Sequence, residues 1–247
     1  MEIKKGLCLK VQGGEDVQLG NWDTIKDKIL LKLINTDLNR EALKDAVSVE
    51  HFDMSIVFYI ELRKKEEELV SLAVTESLKN MWGVNTTDIY NAALENTQNI
   101  CPVVVTTLWM KTKELAEDLG VKLPELPKEA DEYGSYVLTN TDNFNGAAVI
   151  MYKNILTALS ETMGSDLYII PGSIHEVVAL KADNYKTEDK IDGLFEMLMK
   201  TNKTMNTEEE ILSDNIFKFT KDTGKMSIVP KSGKYAFLEM LKEIAVQ

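Results

Sequence analysis

Hydrophobic and polar residues follow one another along this chain in blocks whose length and spacing are typical of single elements. In the first such block the apolar residues recur at helical spacing behind two residues that can cap a helix, Asn21 and Asp23. This pattern predicts a helix carrying Ile25, Ile29, Leu30, Leu33 and Ile34. Residues 1–20 predict a short strand or hairpin that ends at Gly13-Gly14.

The rest of the first half predicts a hairpin and two further helices. Asp53–Leu62 is rich in β-branched and aromatic residues and predicts a strand, and a charged turn joins it to a second strand, Leu69–Val74. A helix is predicted behind Thr86 or Thr87, reaching about Gln98, and another from about Thr106 to Leu119, ended by Gly120.

The second half predicts a similar series of elements. A strand at Tyr136–Leu138 precedes a helix from about Asn145 to Met163, which Gly164 closes. Further along, the pattern predicts a hairpin with strands Leu167–Ile170 and Glu176–Leu180 around the turn Pro171–Ser173, followed by a helix capped by Thr187. A second hairpin is predicted from strands Ile216–Thr220 and Lys225–Val229, which turn at Asp222–Gly224. The last predicted element is a helix capped by Ser232, with Tyr235, Leu238, Leu241 and Ile244 on one face.

The two halves are similar enough to suggest a duplication. Each places a helix before a hairpin and a Thr-capped helix after it, so each reads as a helix–hairpin–helix (αββα) unit. An αββα unit leaves one apolar sheet face bare, and two units can cover each other. The fold class predicted is α+β, with an N-terminal half over 1–121, a linker over 122–135 and a C-terminal half over 136–247.

Composition and charge narrow the function classes. The 247 residues carry a net charge of -12, which disfavours direct nucleic-acid binding, because phosphate binding needs clustered Lys and Arg. An acidic surface can bind a basic protein partner, or its charge can simply keep the protein in solution. Cys8 and Cys101 are far apart in apolar contexts, which favours thiols in a reducing cytoplasm, and no apolar run is long enough for a signal peptide or a membrane span.

The segment Pro171–Glu176 carries the strongest candidate chemistry. Ser173, His175 and Glu176 bring a nucleophile, a base and a carboxylate within four residues, but triad members usually come from distant parts of a chain. The competing interpretation is a hairpin turn whose polar side chains bind backbone groups. A metal site made of His51, His175 and Glu176 is an alternative without a metal-binding motif, so neither a metal nor a cofactor is expected.

Asparagines form a second group of candidates. Asn140 and Asn145 lie between a predicted strand and a predicted helix, where asparagine is typical of turns and caps. The alternative is that they line a polar ligand pocket.

Several phrases of the sequence together are more specific than any of these motifs. They are Lys26–Ile29 and Lys32–Asn35, Asp53–Tyr59, Trp82–Val84, Ala93–Thr97, Leu138–Asn140, Gly146–Tyr152, Gly164–Pro171, Ser173–Val177 and Leu212–Asn215. In this order they resemble a family of proteins from anaerobic gut bacteria and their mobile elements, the domain of unknown function 5688. The resemblance spans about residues 21–230 and implies one family unit, with no activity attached.

Three classes of function therefore remain open. The first is a non-enzymatic binding or regulatory protein of a bacterial host or mobile element, with another protein as its partner; an acidic inhibitor of a defence nuclease is one form of it. The second is a hydrolase or small-ligand site around Ser173, His175 and Glu176. A homo-oligomer with a structural role is the third alternative.

Overall fold

The protein is described here from a computed structural model that covers residues 8–9, 17–65, 68–118, 120–123, 134–233 and 235–237. Within these ranges no helix combines the length and the apolar character needed to cross a bilayer. The described structure mixes helices with antiparallel sheets, which confirms the α+β class.

The larger sheet has six strands, all paired antiparallel. Its members are β7 (Val103–Thr107), β8 (Ser135–Asn140), β9 (Leu167–Pro171), β10 (Val177–Lys181), β11 (Phe217–Thr220) and β12 (Lys225–Ile228), in the spatial order β12-β11-β9-β10-β8-β7. The predicted hairpin β9–β10 therefore lies in the middle of this sheet, and every residue of β9 is buried.

The smaller sheet is built around one long strand. Its members are β3 (Ile29–Asn35), β4 (Ser48–His51), β5 (Met54–Lys65) and β6 (Glu68–Ala73); β3 pairs with one side of β5, while β4 and β6 share the other. A separate two-stranded pair joins β1 (Cys8–Leu9) to β2 (Val17–Gln18), so the second strand lies beyond Gly13-Gly14, where the predicted strand or hairpin ends.

The described structure also contains seven α-helices, one long 3₁₀ segment and two short 3₁₀ turns, Lys26–Lys28 and Ala182–Asn184. The helices are α1 (Trp22–Ile25), α2 (Arg40–Leu43), α3 (Glu76–Trp82), α4 (Thr86–Ile100), α5 (Leu108–Asp118), α6 (Ile155–Met163) and α7 (Glu188–Thr204), and the 3₁₀ segment is Gly146–Met151. Asn85, rather than Thr86 or Thr87, caps α4 through a reciprocal capping box with Asp88. Most of the predicted linker and of the final helix lies outside the described residues.

The predicted helix over residues 25–34 is wrong. Only Trp22–Ile25 is α-helical, and Ile29–Asn35 is strand β3, paired with β5 along its whole length. A nearly continuous apolar run fits a strand buried on both faces as well as a helix, and pairing with the long neighbouring strand decides between them.

Two other predicted helices are interrupted or shortened. The segment predicted as one helix from Thr106 begins as strand β7 and becomes helical only at Leu108. The segment Asn145–Met163 divides into the 3₁₀ segment and α6, because Asn154 adopts a left-handed conformation (φ 65°) that a continuous helix does not accept.

Two hydrophobic cores lie on opposite faces of the larger sheet. Leu167 and Ile169 of β9 face the larger core, which also contains β3, β5 and the 3₁₀ segment. Tyr168 and Ile170 face a smaller core made with α7. The 3₁₀ segment contacts both β8 and β3, so it lies between the two sheets. The larger core therefore contains residues from both predicted halves of the chain.

Candidate functional site

The imidazole of His175 is held between two loops. Its Nδ1 accepts a hydrogen bond from the main-chain N–H of Asn145 at 3.1 Å, and its ring packs on Phe144 with the centroids 5.2 Å apart. Because Nδ1 is an acceptor, the proton of the neutral ring is assigned to Nε2. Burial lowers the pKa of His175, although the carboxylates of Glu210 and Glu176 act in the opposite direction.

Glu210 lies near the other ring nitrogen without forming a close pair. Its Oε1 is 3.7 Å from Nε2 of His175, whereas its Oε2 accepts 2.9 Å hydrogen bonds from the N–H and hydroxyl of Thr207. These bonds from Thr207 lower the pKa of Glu210. With His175 neutral, the contact is a weak polar one rather than an ion pair.

Ser173 is engaged with the backbone of the same turn. Its buried Oγ accepts the main-chain N–H of His175 at 3.0 Å, while the imidazole turns to Asn145. The main-chain oxygen of Glu176 accepts from the N–H groups of Gly172 and Ser173. The three candidates therefore lie together, and the contacts of Ser173 and His175 are those of a hydrogen-bonded turn.

The two asparagine candidates shape the neighbouring loop. Asn140 is buried, accepts from the N–H of Asp142 at 3.1 Å and donates to the carbonyl of Phe144 at 2.9 Å. Asn145 is also buried, adopts φ 52°, and its Oδ1 has no hydrogen-bond partner among the described residues. The loop Asn140–Asn145 thus supplies the main-chain N–H of Asn145, which donates a hydrogen bond to the imidazole of His175.

Gly146 explains how closely loop and turn approach each other. A Cβ at this position would overlap Thr139 Oγ1 and the carbonyl oxygen of His175, and would lie 2.9 Å from the N–H nitrogen of Asn140. The hydroxyl of Thr139 itself donates to the His175 carbonyl at 2.9 Å. Only glycine leaves room for this contact.

A cleft lies at the opposite end of the β9–β10 hairpin. This Asp166 cleft measures about 490 Å³. It is lined by Gly164, Ser165, Asp166, Tyr168, Ala182, Asp183, Tyr185, Lys186, Ile191, Lys218, Lys221 and Asp222. No local pattern in the sequence reveals this cleft, because its residues come from three separate segments that only the sheet brings together.

Ion pairs organise the Asp166 cleft. Lys218 Nζ lies 2.8 Å from Asp166 Oδ2, and the main-chain N–H of Lys221 donates to Asp166 Oδ1 at 3.0 Å. The hydrogen bond from Lys218 lowers the pKa of Asp166, and the same bond raises that of Lys218. Lys186 pairs with Asp183 at 3.0 Å, which lowers the pKa of that carboxyl as well.

An apolar cleft of about 360 Å³ adjoins the Asp166 cleft and shares Tyr168, Ile191 and Lys218 with it. Its remaining lining comes from α7 and the β12 segment: Glu188, Ser227, Ile228, Val229, Pro230 and Ser232. Tyr168 and Tyr185 meet edge to face with their centroids 6.4 Å apart. The two clefts together therefore offer charged groups, aromatic rings and aliphatic side chains side by side.

A further polar cluster lies at the tip of the β4–β5 hairpin. Asp53 Oδ2 accepts from the hydroxyl of Ser213 at 2.6 Å and from the side-chain amide of Asn215 at 3.0 Å. His51 Nε2 and Asp53 Oδ1 are buried without a hydrogen-bond partner among the described residues, and burial lowers the pKa of His51. Phe52 between them adopts φ 61°, a strained value for an aromatic residue.

The alternative metal site is not assembled. Nowhere in the part of the chain that the structure describes do three His, Cys, Asp or Glu side chains group closely enough to hold an ion, and this includes His51, His175 and Glu176. Cys101 is a buried thiol whose Sγ donates to Asp142 Oδ2 at 3.1 Å.

Comparison with known proteins identifies the family to which this chain belongs. Neither the curated proteins nor the solved structures contain a match to this chain. The sequence pattern of a family of unknown function, DUF5688, matches residues 9–221, which include the His175 turn, the hairpin-tip cluster and most of the Asp166 cleft. The chain therefore belongs to the DUF5688 family of unknown function.

Proposed function

We propose that this chain is a non-enzymatic binding protein whose ligand occupies the Asp166 cleft. The observation that carries the proposal is the lining of the cleft, where three lysines and three aspartates face one space, with two ion pairs formed. The serine hydroxyl in the lining, that of Ser165, donates to the carbonyl of Asp166 and accepts from the N–H of Asp183. These groups suit recognition by charge better than nucleophilic attack.

The charge balance of the cleft indicates a zwitterionic ligand. A purely anionic ligand would face Asp166, Asp183 and Asp222 in a protein of net charge -12. A ligand with one ammonium and one carboxylate group can pair with a lysine at one end and an aspartate at the other, so neither charge is left without a partner. The adjoining apolar cleft, with Ile191, Ile228 and Val229, then receives an aliphatic side group.

A short hydrophobic peptide with free termini has all of these features. Leucyl-leucine is a suitable probe, and its binding to the full chain is measured by isothermal titration calorimetry. The N-acetylated and the C-amidated dipeptides each lack one charge, and we expect each to bind at least about tenfold more weakly, a difference of about 1.4 kcal/mol.

A pair of variants locates the binding. Lys218→Met keeps most of the aliphatic side chain but removes the ammonium group, and it should weaken leucyl-leucine binding at least about tenfold. Lys200→Met, on the exposed face of α7 away from the cleft, makes the same chemical change and should leave binding as it was. Equal affinity for the three dipeptides, or no heat with any of them, would reject the zwitterion proposal.

A second candidate is a regulatory role toward a basic protein, as an acidic inhibitor of a nuclease would have. The net charge of -12 is the observation that favours it. Such binding should be strong at about 0.1 M salt and weak at about 1 M, because salt screens exposed charges. Failure to bind or inhibit a panel of basic nucleases at the lower salt concentration would remove this candidate.

A further inference from the structure

Lys218 lies at the boundary between the Asp166 cleft and the apolar cleft. In the sheet it is opposite Tyr168 on one side and Ser227 on the other, so these three side chains project from the same face. Tyr168 and Lys218 line both clefts, whereas Asp166 belongs to the lining of the first and Ser227 to that of the second. A ligand that spans the two clefts therefore meets Asp166 first, then Lys218, and then the apolar surface.

The Asp166–Lys218 pair is more shielded from water than the second ion pair of the cleft. The side chains of Asp166 and Lys218 are 29% and 39% exposed, whereas those of Asp183 and Lys186 are 52% and 71% exposed. Charges that are partly shielded from solvent interact more strongly than fully hydrated ones. The charged groups of a ligand therefore gain more at Asp166 and Lys218 than at the other pair.

The two members of this pair differ in how firmly each is held. Oδ1 of Asp166 accepts the main-chain N–H of Lys221 at 3.0 Å, so the carboxylate stays in place when Oδ2 changes its partner. The ammonium group of Lys218, 2.8 Å from that Oδ2, is carried on a flexible four-carbon stem. An incoming ammonium group can replace it at Asp166, and Lys218 can then bind the carboxylate of the same ligand. One ion pair becomes two, and no charge loses its partner.

We propose that the two clefts recognise the C-terminal residue of a short peptide, with its carboxylate at Lys218 and its aliphatic side group in the apolar cleft. This inference rests on the zwitterion binding proposed above and adds the direction in which the ligand lies. The ammonium group of the peptide, paired with Asp166, is then on the far side of Lys218 from the apolar cleft. The residue beside the apolar cleft is consequently the one that carries the carboxylate.

The reverse direction would depend on Glu188, whose carboxylate lies in the lining of the apolar cleft. An ammonium group bound there would place the N-terminal residue of the peptide in that cleft. Glu188 is the first residue of α7 and is exposed, so water and salt screen its charge, and the positive end of the helix dipole already stabilises it. Lys218 is the more shielded of the two groups, and it therefore determines the direction.

Two isomeric dipeptides test the direction. Glycyl-leucine and leucyl-glycine have the same composition and the same two charges, and they differ only in which residue carries the isobutyl group. Titration calorimetry with the full chain should show glycyl-leucine binding at least about tenfold more tightly, because only its side group is buried in the apolar cleft. If leucyl-leucine binds but leucyl-glycine equals or exceeds glycyl-leucine, the direction is wrong and the zwitterion proposal stands. If none of the three binds, both proposals fail.

Lys218→Met tests whether this lysine holds the carboxylate. In the parent chain, C-amidation of glycyl-leucine should weaken binding at least about tenfold. In the variant, amidation should change the affinity less than about twofold, because the partner of the carboxylate has already been removed. N-acetylation should still weaken binding to the variant, since Asp166 remains. If amidation weakens binding to the variant as much as to the parent, another lysine holds the carboxylate and the assignment is wrong.

Ser227→Leu tests the place of the side group. The added leucine projects from the same face as Lys218 into the apolar cleft, so it should occupy the space of the ligand side group and make the two isomers bind with similar affinity. Ser71→Leu makes the same change at an exposed position of β6 in the smaller sheet, and it should keep the preference for glycyl-leucine. Thermal melting shows whether each variant is folded. A folded Ser227→Leu variant with the preference of its parent would overturn the proposal.

Discussion

The two ends of the β9–β10 hairpin place polar side chains in opposite situations. At the end that carries His175, side-chain groups bind main-chain N–H and C=O groups of neighbouring loops. At the other end, Asp166 pairs with Lys218 on the rim of a cleft, with both side chains partly exposed. Side chains that are hydrogen-bonded to main-chain groups stabilise the fold. Charged side chains that pair with each other beside an open cleft can instead exchange that partner for a charged group of a ligand.

The largest expected effect tests the tight approach at the His175 end. Gly146→Ala should lower the free energy of unfolding by about 3 kcal/mol, because the added Cβ overlaps Thr139 and the His175 carbonyl and must displace backbone. Urea unfolding followed by circular dichroism measures this loss. Gly193→Ala in α7 is the matched control, since its Cβ meets nothing within 4 Å and alanine favours a helix by up to about 1 kcal/mol. Equal stability of the two variants would contradict the tight approach.

His175→Ala should have the next largest effect. It removes the acceptor of the Asn145 N–H and the ring that packs on Phe144, which should destabilise the protein by about 1–3 kcal/mol. For a chain of this size, each kcal/mol lowers the melting temperature by about 2–4 °C. If the variant melts like its parent but binds ligand poorly, His175 belongs to a functional site and the contrast between the two ends fails.

The pH dependence of stability should follow the two histidines. Burial lowers the pKa of both His175 and His51 in the folded protein, so below about pH 6.5 the unfolded chain binds protons that the folded chain does not. Stability should therefore be level above that pH and fall as the pH decreases from it. Urea midpoints between pH 8 and pH 5 measure this, and His175→Gln or His51→Gln should each flatten the curve.

That pH range separates the histidines from the carboxylates. The lowered pKa values of Asp166, Asp183 and Glu210 make stability fall only below about pH 5, where their unfolded counterparts begin to protonate. A curve that stays level from pH 8 down to about pH 5 would exclude the histidine contribution.

The smallest effect on stability is expected at the cleft end. Lys218→Met breaks a partly exposed ion pair and should change the free energy of unfolding by no more than about 1 kcal/mol. Urea unfolding under the conditions used for His175→Ala makes the two ends directly comparable. A loss as large as that of His175→Ala would mean that the Asp166–Lys218 pair also belongs to the architecture.

The sequence predicts well the elements whose signals are local. The hairpin β9–β10 is located by two short, nearly continuous apolar runs around a Pro-Gly turn, and β11–β12 by two short runs around Asp222–Gly224. Strand β3 was mistaken for a helix because its identity depends on pairing with β5, some 25 residues away. Strand β7 was missed because a helix follows it with no turn residue between.

The sequence names the five candidate residues around the His175 turn, but it does not predict the contacts among them. Ser173, His175, Glu176, Asn140 and Asn145 do lie near one another. The bond between His175 and Asn145 joins residues 30 positions apart, and no local pattern encodes it. One signal was present: Gly146 follows directly after Asn145, and a glycine beside a turn asparagine is typical of a close backbone approach.

Because the 3₁₀ segment lies between the two sheets, dividing the gene into two would separate residues that pack together in the larger core. A break between codons 123 and 134 would yield one polypeptide with β3, β5 and α4, and another with the segment that packs against them. Neither product would contain a complete larger core, because Phe58 and Ile150 would lie in different molecules. Expressed together, the two fragments should assemble by complementation, and the recovery of one would then report the presence of the other.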